Sequence, residues 1–291
     1  MSTSGKFTEK LRYSQSRSSS VLCIGLDTDV ELLPHALKPN HASAEQYTQA
    51  MVAFNKAIIA ATCDICCAYK INWAFYEPYG AAGMAAIEQT LAAIPAHHVT
   101  IADAKRGDIG NTSKHYAAAF FEHFGCDAVT VTPYMGRDSV EPFLGYSGKF
   151  VFVLALTSNA GSQDFQRLRV VGADNGTDSG CAEQPPDQQL YEYVLLTASR
   201  WASADELGFV VGATHPKELA EIRRSVPNSV LLIPGVGAQG GNAQATVQAN
   251  AGGTALVNAS RAVLYASQGT DFDQAARQAA QTLNTQLQYA A

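Results

Sequence analysis

The sequence predicts a (β/α)₈ barrel, and three observations carry the prediction. Eight short apolar or β-branched runs alternate with longer helix-like stretches almost to the end of the 291-residue chain. Strands that alternate with helices run parallel and are covered by those helices, and eight such units in ~250 residues close into a barrel. The turn after the first run reads Asp27-Thr28-Asp29 and lacks a glycine cluster. A doubly wound open sheet, the structural rival, would have fewer strands and a glycine fingerprint at that turn.

Taken in order, the runs are Val21–Leu26, Cys66–Ile71, Val99–Ala104, Ala128–Val131, Phe150–Leu154, Gly208–Val211, Val230–Ile233 and Ala255–Val257. Helices are expected over Ala44–Thr62, Ala81–Ala93, Asn111–Phe124, Gln189–Ala204, Pro216–Val226, Gly241–Ala251 and Asp271–Tyr289. One domain over 1–291 accommodates all of them. Within the N-terminal segment 1–20, residues 7–17 form a short amphipathic helix with Phe7 and Leu11 at i, i+4 spacing, suited to cover the barrel's lower mouth. The stretch 161–188 is rich in Gly, Asp and Gln, contains Pro185-Pro186 and follows the fifth run. It reads as a long insertion on the face where barrels carry their functional loops.

With 47% apolar and 16% charged residues the chain can bury a large core. A net charge of -6 gives no general attraction to nucleic acid or to an anionic membrane, so a bound phosphate must meet local positive groups. The polar N-terminus has neither a secretory apolar stretch nor a transmembrane span, which points to the cytoplasm. Of six cysteines only Cys63, Cys66 and Cys67 cluster, and no second Cys or His pair completes a zinc set, so buried reduced thiols are expected. His97, His98, His115 and His123 do not combine with carboxylates at metal-ligand spacing, and no metal site is expected.

In such a barrel the reacting groups stand at the C-terminal ends of strands. The first run ends at Asp27, the second at Lys70 with Asn72 beyond it, the third at Asp103 and Lys105, and Arg261 follows the eighth. Side chains at i and i+2 of a strand share a face, so Asp103 and Lys105 point together, and Gly107 lets the chain turn to present Asp108. Mutual pairing would keep this anion, cation, anion series ionised. A structural ion-pair network at the barrel rim is the alternative. After the seventh run, Gly235, Gly237, Gly240 and Gly241 allow backbone amides to approach an anion, while Arg261 offers a fork for two phosphate oxygens. Tight turns alone would also explain these glycines.

The third run, read as Asp103-Ala-Lys105-Arg-Gly-Asp108-Ile-Gly-Asn-Thr112-Ser, resembles the Asp-x-Lys-x-x-Asp signature of the orotidine 5′-monophosphate decarboxylase family, in particular its longer bacterial branch. Gly25-Leu26-Asp27, Tyr69-Lys70-Ile71-Asn72, Leu156-Thr157-Ser158, Pro234 to Gly241 and Ser260-Arg261 add agreements over most of the chain. The resemblance implies decarboxylation of orotidine 5′-monophosphate to uridine 5′-monophosphate without a cofactor. Lys105 would protonate C6 of the pyrimidine, Asp103 would lie beside the substrate carboxylate, and Lys70 and Asp108 would complete the catalytic set. Asp27, with Lys70, would hold the ribose hydroxyls. Ser158 would read the pyrimidine, Thr157 would pack beside it, and Gln239 would bridge base and phosphate. Pro234, Gly240 and Arg261 would complete the substrate site. Asp108, Ile109 and Thr112 would serve the neighbouring subunit's site in a homodimer. One departure is Ser260, where many family members place glycine ahead of the arginine.

Two rival activities share these residues. A magnesium-dependent decarboxylase or aldolase acting on sugar phosphates would carry an acidic metal ligand near the position of Lys70. A catalytically silent barrel that only binds phosphate ligands would need neither Lys105 nor both acids.

Overall fold

The structure, a computed structural model, describes residues 6–39, 42–170, 188–237 and 240–288. Eight parallel strands form a closed barrel: β1 (Leu22–Gly25), β2 (Ala68–Asn72), β3 (Val99–Arg106), β4 (Ala128–Val131), β5 (Phe150–Leu156), β6 (Leu207–Val211), β7 (Leu231–Pro234) and β8 (Ala255–Ala259). Each pairs with its neighbours in sequence, and β8 closes on β1 through the register Leu22↔Val257 and Cys23↔Asn258. Every residue of β1, β4, β6 and β8 is buried, as strands covered on both faces require.

The helices fall close to the predicted spans, with local chemistry setting their ends. α1 covers Phe7–Ser18. α2 (Ala44–Thr62) opens on a capping box in which the Ser43 hydroxyl accepts from the Gln46 amide and the Gln46 side chain accepts from the Ser43 amide. α3 covers Gly80–Ala93 and α4 covers Gly110–Ala118. The helix expected to reach Phe124 instead widens into a π-turn over Ala119–His123. Three short helices follow along the chain: α5 (Arg137–Val140), α6 (Ser162–Phe165) and α7 (Leu190–Ala198). The last stops short of Ala204, because i→i+3 bonds from Arg200 to Thr197 and from Trp201 to Ala198 tighten its end and turn the chain toward β6. α8 (Pro216–Ser225) begins on a proline. α9 (Ala243–Asn250) starts two residues later than expected because the Asn242 side chain caps it. α10 (Arg261–Leu264) and α11 (Phe272–Gln288) end the described chain. Of the expected insertion at 161–188, residues 171–187 lie outside the described residues; its two ends pair as antiparallel strands, Arg169–Val170 with Gln188–Gln189.

Two apolar layers hold the fold. One lies between the sheet and the surrounding helices. The other fills the barrel's lower interior, where Phe7 and Leu11 of α1 meet Cys23, Ile101, Phe150, Phe152 and Leu256. Phe7 stacks on Phe150 at 4.3 Å between ring centroids, so α1 is a plug rather than a loose cover. Polar ties fix its register: Lys10 reaches Asp127 at 2.7 Å, and the Ser14 hydroxyl donates to the Cys67 carbonyl at 2.6 Å. Beside this end of the barrel, buried Arg223 of α8 donates to the Asn250 side chain and to the carbonyls of Val226, Pro227, Ser229 and Thr254. Burial pushes its pKa down to about 10. Four of the five described cysteines are buried, and burial raises the Cys66 thiol to about 12; Cys181 lies outside the described residues.

Candidate active site

The C-terminal strand ends surround a cavity of about 450 Å³. Asp27, Lys70, Asp103 and Lys105 line one side of it, and Ser158, Pro234 and Arg261 the other. These residues, all selected from the sequence, therefore meet in one space.

At the centre of the charged side is the Asp103 carboxylate. Its Oδ2 accepts from Lys70 Nζ at 2.7 Å and its Oδ1 from Lys105 Nζ at 2.6 Å, while Lys70 also lies 3.4 Å from Asp27 Oδ1. Burial alone would raise the Asp103 pKa, but the ammoniums of Lys70 and Lys105 outweigh it and hold the carboxyl well below the usual range. Burial would likewise lower Lys70; the carboxylates of Asp103 and Asp27 reverse that and raise it. Lys70 is 4% exposed and Lys105 is 47% exposed. One cation thus anchors the carboxylate from within, and the other stands where a ligand can reach it.

Lys105 does share a face with Asp103, but not through a regular pleat. Its φ is 48°, a left-handed conformation that costs a side-chain-bearing residue about 1–2 kcal/mol. The β3–β4 register slips between Ala102 and Arg106 at the same place. A second expectation is corrected: Asp108 does not pair with Lys105 within the chain. Gly107 turns the backbone away, and the Asp108 side chain accepts from the Ile109 amide at 2.7 Å. Asp108, Ile109 and Thr112 lie off the cavity wall, with Ile109 and Thr112 exposed.

The loop after β7 also departs from expectation. Its glycines at 235, 237 and 240 have positive φ, and the amides of Gly237, Gly240 and Gly241 bond to Gly241, Gly237 and Gly235 carbonyls inside the loop. These three amides build a tight turn instead of facing an anion. Gly240 is exposed and off the cavity wall, and Gln239 lies outside the described residues. Arg261, exposed at the start of α10, makes no ion pair among the described residues and lines the cavity.

Ser260 has a negative φ of -115°, so the position does not call for glycine. Its hydroxyl occupies the space where a side chain on Gly25, at the end of the neighbouring strand β1, would stand. The Ser158 hydroxyl is buried without a hydrogen-bond partner among the described residues, packed over Gly212. Thr157 is locked to Asn159 at 2.6 Å and to Gln166. Groups on the wall that were not foreseen include Asn159, Asn258, Thr130 of β4, and the apolar pair Leu154 and Val210. The apolar pair is indistinguishable in sequence from ordinary strand core, whereas Thr130 is a lone hydroxyl inside the run Ala128–Val131 and could have been singled out.

Residues 20–278 match the model of the family described as "Orotidine 5'-phosphate decarboxylase / HUMPS family". The chain belongs to that family. It is 47% identical over 275 residues to the orotidine 5′-phosphate decarboxylase of Herpetosiphon aurantiacus, covering 94% of this chain and 95% of the relative. Against the enzyme of the same name from Dehalococcoides mccartyi, identity is 43% over 287 residues, with 98% of each chain covered. Among solved structures, the OMP decarboxylase of Leishmania donovani superposes with a TM-score of 0.77 at 35% identity, over 99% of this chain and 100% of that one. Membership agrees with the barrel and with the lysine-carboxylate cluster at its mouth.

Proposed function

We propose that this protein decarboxylates orotidine 5′-monophosphate, the last step in making uridine 5′-monophosphate, with Lys105 as the proton donor. The observation that carries the assignment is the buried Asp103 carboxylate held between two ammoniums in the cavity that Arg261 also lines. The substrate phosphate pairs with Arg261, the ribose hydroxyls meet Asp27 and Lys70, and Ser158 reads the base. The substrate carboxylate then lies beside Asp103, which its lowered pKa keeps ionised at neutral pH. Two like charges held close raise the energy of the bound ground state, and the repulsion falls as neutral carbon dioxide forms. The C6–carboxylate bond breaks with its electron pair left on C6. The Lys105 ammonium stabilises the developing carbanion and gives it a proton, leaving a neutral amine that solvent reprotonates.

The metal-dependent rival fits the donor set less well. Lys70 stands where that chemistry would need an acid, and both nearby carboxylates already face its ammonium. Loss of orotidine 5′-monophosphate absorbance, followed with and without a chelator, tests the assignment. Metal-independent turnover that collapses in Lys105→Ala is expected. Chelator-sensitive activity on sugar phosphates instead would overturn it.

A homodimer with shared sites completes the proposal. Ile109 is 58% exposed, Tyr134 87% and Met135 46%, an apolar set near the barrel mouth that suits burial against a second copy. Asp108 and Thr112 would then enter the partner's cavity. Mixing inactive Asp103→Ala and Asp108→Ala proteins under subunit exchange should regenerate activity; no recovery would count against sharing. Unpaired cysteines at the five described positions support a reading in which the protein works in a reducing compartment such as the cytoplasm.

A further inference from the structure

The strand that carries the acid and the ammonium leaves its neighbour at the point where both side chains emerge. Ala102 lies opposite Val129 and Arg106 opposite Val131, so β3 advances four residues while β4 advances two. In such a bulge the amides of the extra residues lose their ladder partners. The Thr130 hydroxyl takes them up, accepting from the Ala104 amide at 3.1 Å and from the Lys105 amide at 3.0 Å. A hydroxyl has two acceptor sites and one donor. With both acceptor sites filled, its proton goes to Asp103 Oδ1, 3.0 Å away.

We infer that Thr130 is a positioning residue of the decarboxylase, its one hydroxyl fixing the backbone of Lys105 and the carboxylate of Asp103 relative to each other. The inference rests on the proposed roles of those two residues. Three features of the site make such a fixing point necessary. The Lys105 backbone holds a left-handed φ that persists only where its surroundings determine it. The Lys105 amine hangs on a flexible stem, and nearly half of its side chain is exposed, so packing alone does not place it. Asp103 Oδ1 serves Lys105 and Thr130 together, so any rotation of the carboxylate disturbs both contacts. Thr130 itself is 1% exposed, which keeps water from substituting for its hydroxyl.

Three variants test this: Thr130→Val, which keeps the shape and removes the hydroxyl; Thr130→Ser, which keeps the hydroxyl; and Thr130→Ala, which cannot overpack the site. Each is assayed for kcat and KM on orotidine 5′-monophosphate, for uridine 5′-monophosphate affinity, and for thermal unfolding. The valine variant should lose kcat by roughly tenfold to a hundredfold, the scale expected when a reacting group is misplaced, with KM and product affinity little changed. The serine variant should recover most of the loss. Wild-type kcat in the valine variant would overturn the inference, as would equal impairment in valine and serine variants, or a loss confined to KM. If valine fails to fold, alanine takes its place. Failure of both to fold while serine folds would assign the hydroxyl to stability and overturn a positioning role. Full activity in Lys105→Ala would be a different failure, that of the catalytic reading itself.

Discussion

Lys70 holds the Asp103 carboxylate from the side that solvent does not reach, with Nζ 2.7 Å from Oδ2 and the lysine side chain 4% exposed. The pair is largely buried although both residues line the cavity, so its loss is a matter of stability as well as chemistry. Removing one partner of a buried pair leaves an uncompensated charge, at a cost of about 3–5 kcal/mol. Lys70→Met is therefore expected to lower the unfolding free energy by about 3 kcal/mol, discounting for relaxation around the remaining contact to Lys105. Urea unfolding at neutral pH reads this directly; an unchanged midpoint would show that the pair adds no stability.

The same pair sets opposite limits in acid and base. The Asp103 pKa is lower in the folded state, so its contribution is present above the unfolded carboxylate value of about 4 and is lost as pH falls toward the folded value. The Lys70 pKa is raised, so its contribution is complete below the unfolded value of about 10 and is lost as pH climbs through the folded one. Unfolding free energy measured from pH 7 to 3 should fall less steeply below pH 4 in Asp103→Asn than in the parent protein. Matching slopes would contradict the depressed pKa.

Ser260 and Gly25 form a compensating pair. A methyl group on residue 25 would collide with the Ser260 hydroxyl, and such overpacking costs typically about 1–3 kcal/mol. Gly25→Ala should destabilise by that amount, and adding Ser260→Gly should restore most of it. A double-mutant cycle in thermal unfolding measures the coupling. Additive losses would mean the two strands yield independently.

Arg223 tests the lower end of the barrel apart from the chemistry. Its guanidinium satisfies one side-chain oxygen and four carbonyls, with no acidic partner among the described residues. Arg223→Met removes those donors and leaves buried acceptors unpaired, at about 1–3 kcal/mol each before relaxation. A loss of several kcal/mol in unfolding free energy is expected, with kcat unchanged while the protein stays folded.

Arg261 should separate binding from turnover. As the cation assigned to the phosphate, its replacement by alanine should weaken uridine 5′-monophosphate by roughly tenfold to a hundredfold, the value of a charge-assisted contact. Titration at low and high salt checks the assignment, since the difference between parent and variant should shrink as salt rises. Equal affinity in both proteins would remove the phosphate from this corner.

The barrel was legible because its cause is local. Fully buried parallel strands must be apolar throughout, and runs such as Ala128–Val131 announce this without any long-range information. Asp27, Lys70, Asp103 and Arg261 were legible because charges at the ends of such runs have few structural uses. The left-handed Lys105 was not, since alternation along a strand assumes a regular pleat and gives no sign of a bulge. The seventh loop misled for a related reason: glycine permits both an anion cradle and a tight turn, and only the amide partners separate them. Asp108 misled because spacing says nothing of direction once Gly107 has turned the chain.

With Phe7 and Leu11 seated in its lower interior, the barrel works as a blind vessel rather than a tunnel. The cavity stands at the opposite end, among the C-terminal strand ends, and rests on the same apolar layer through Leu154, Val210 and Leu232. Trimming the plug would therefore disturb the floor of the reaction chamber, although no plug residue touches what lies inside it.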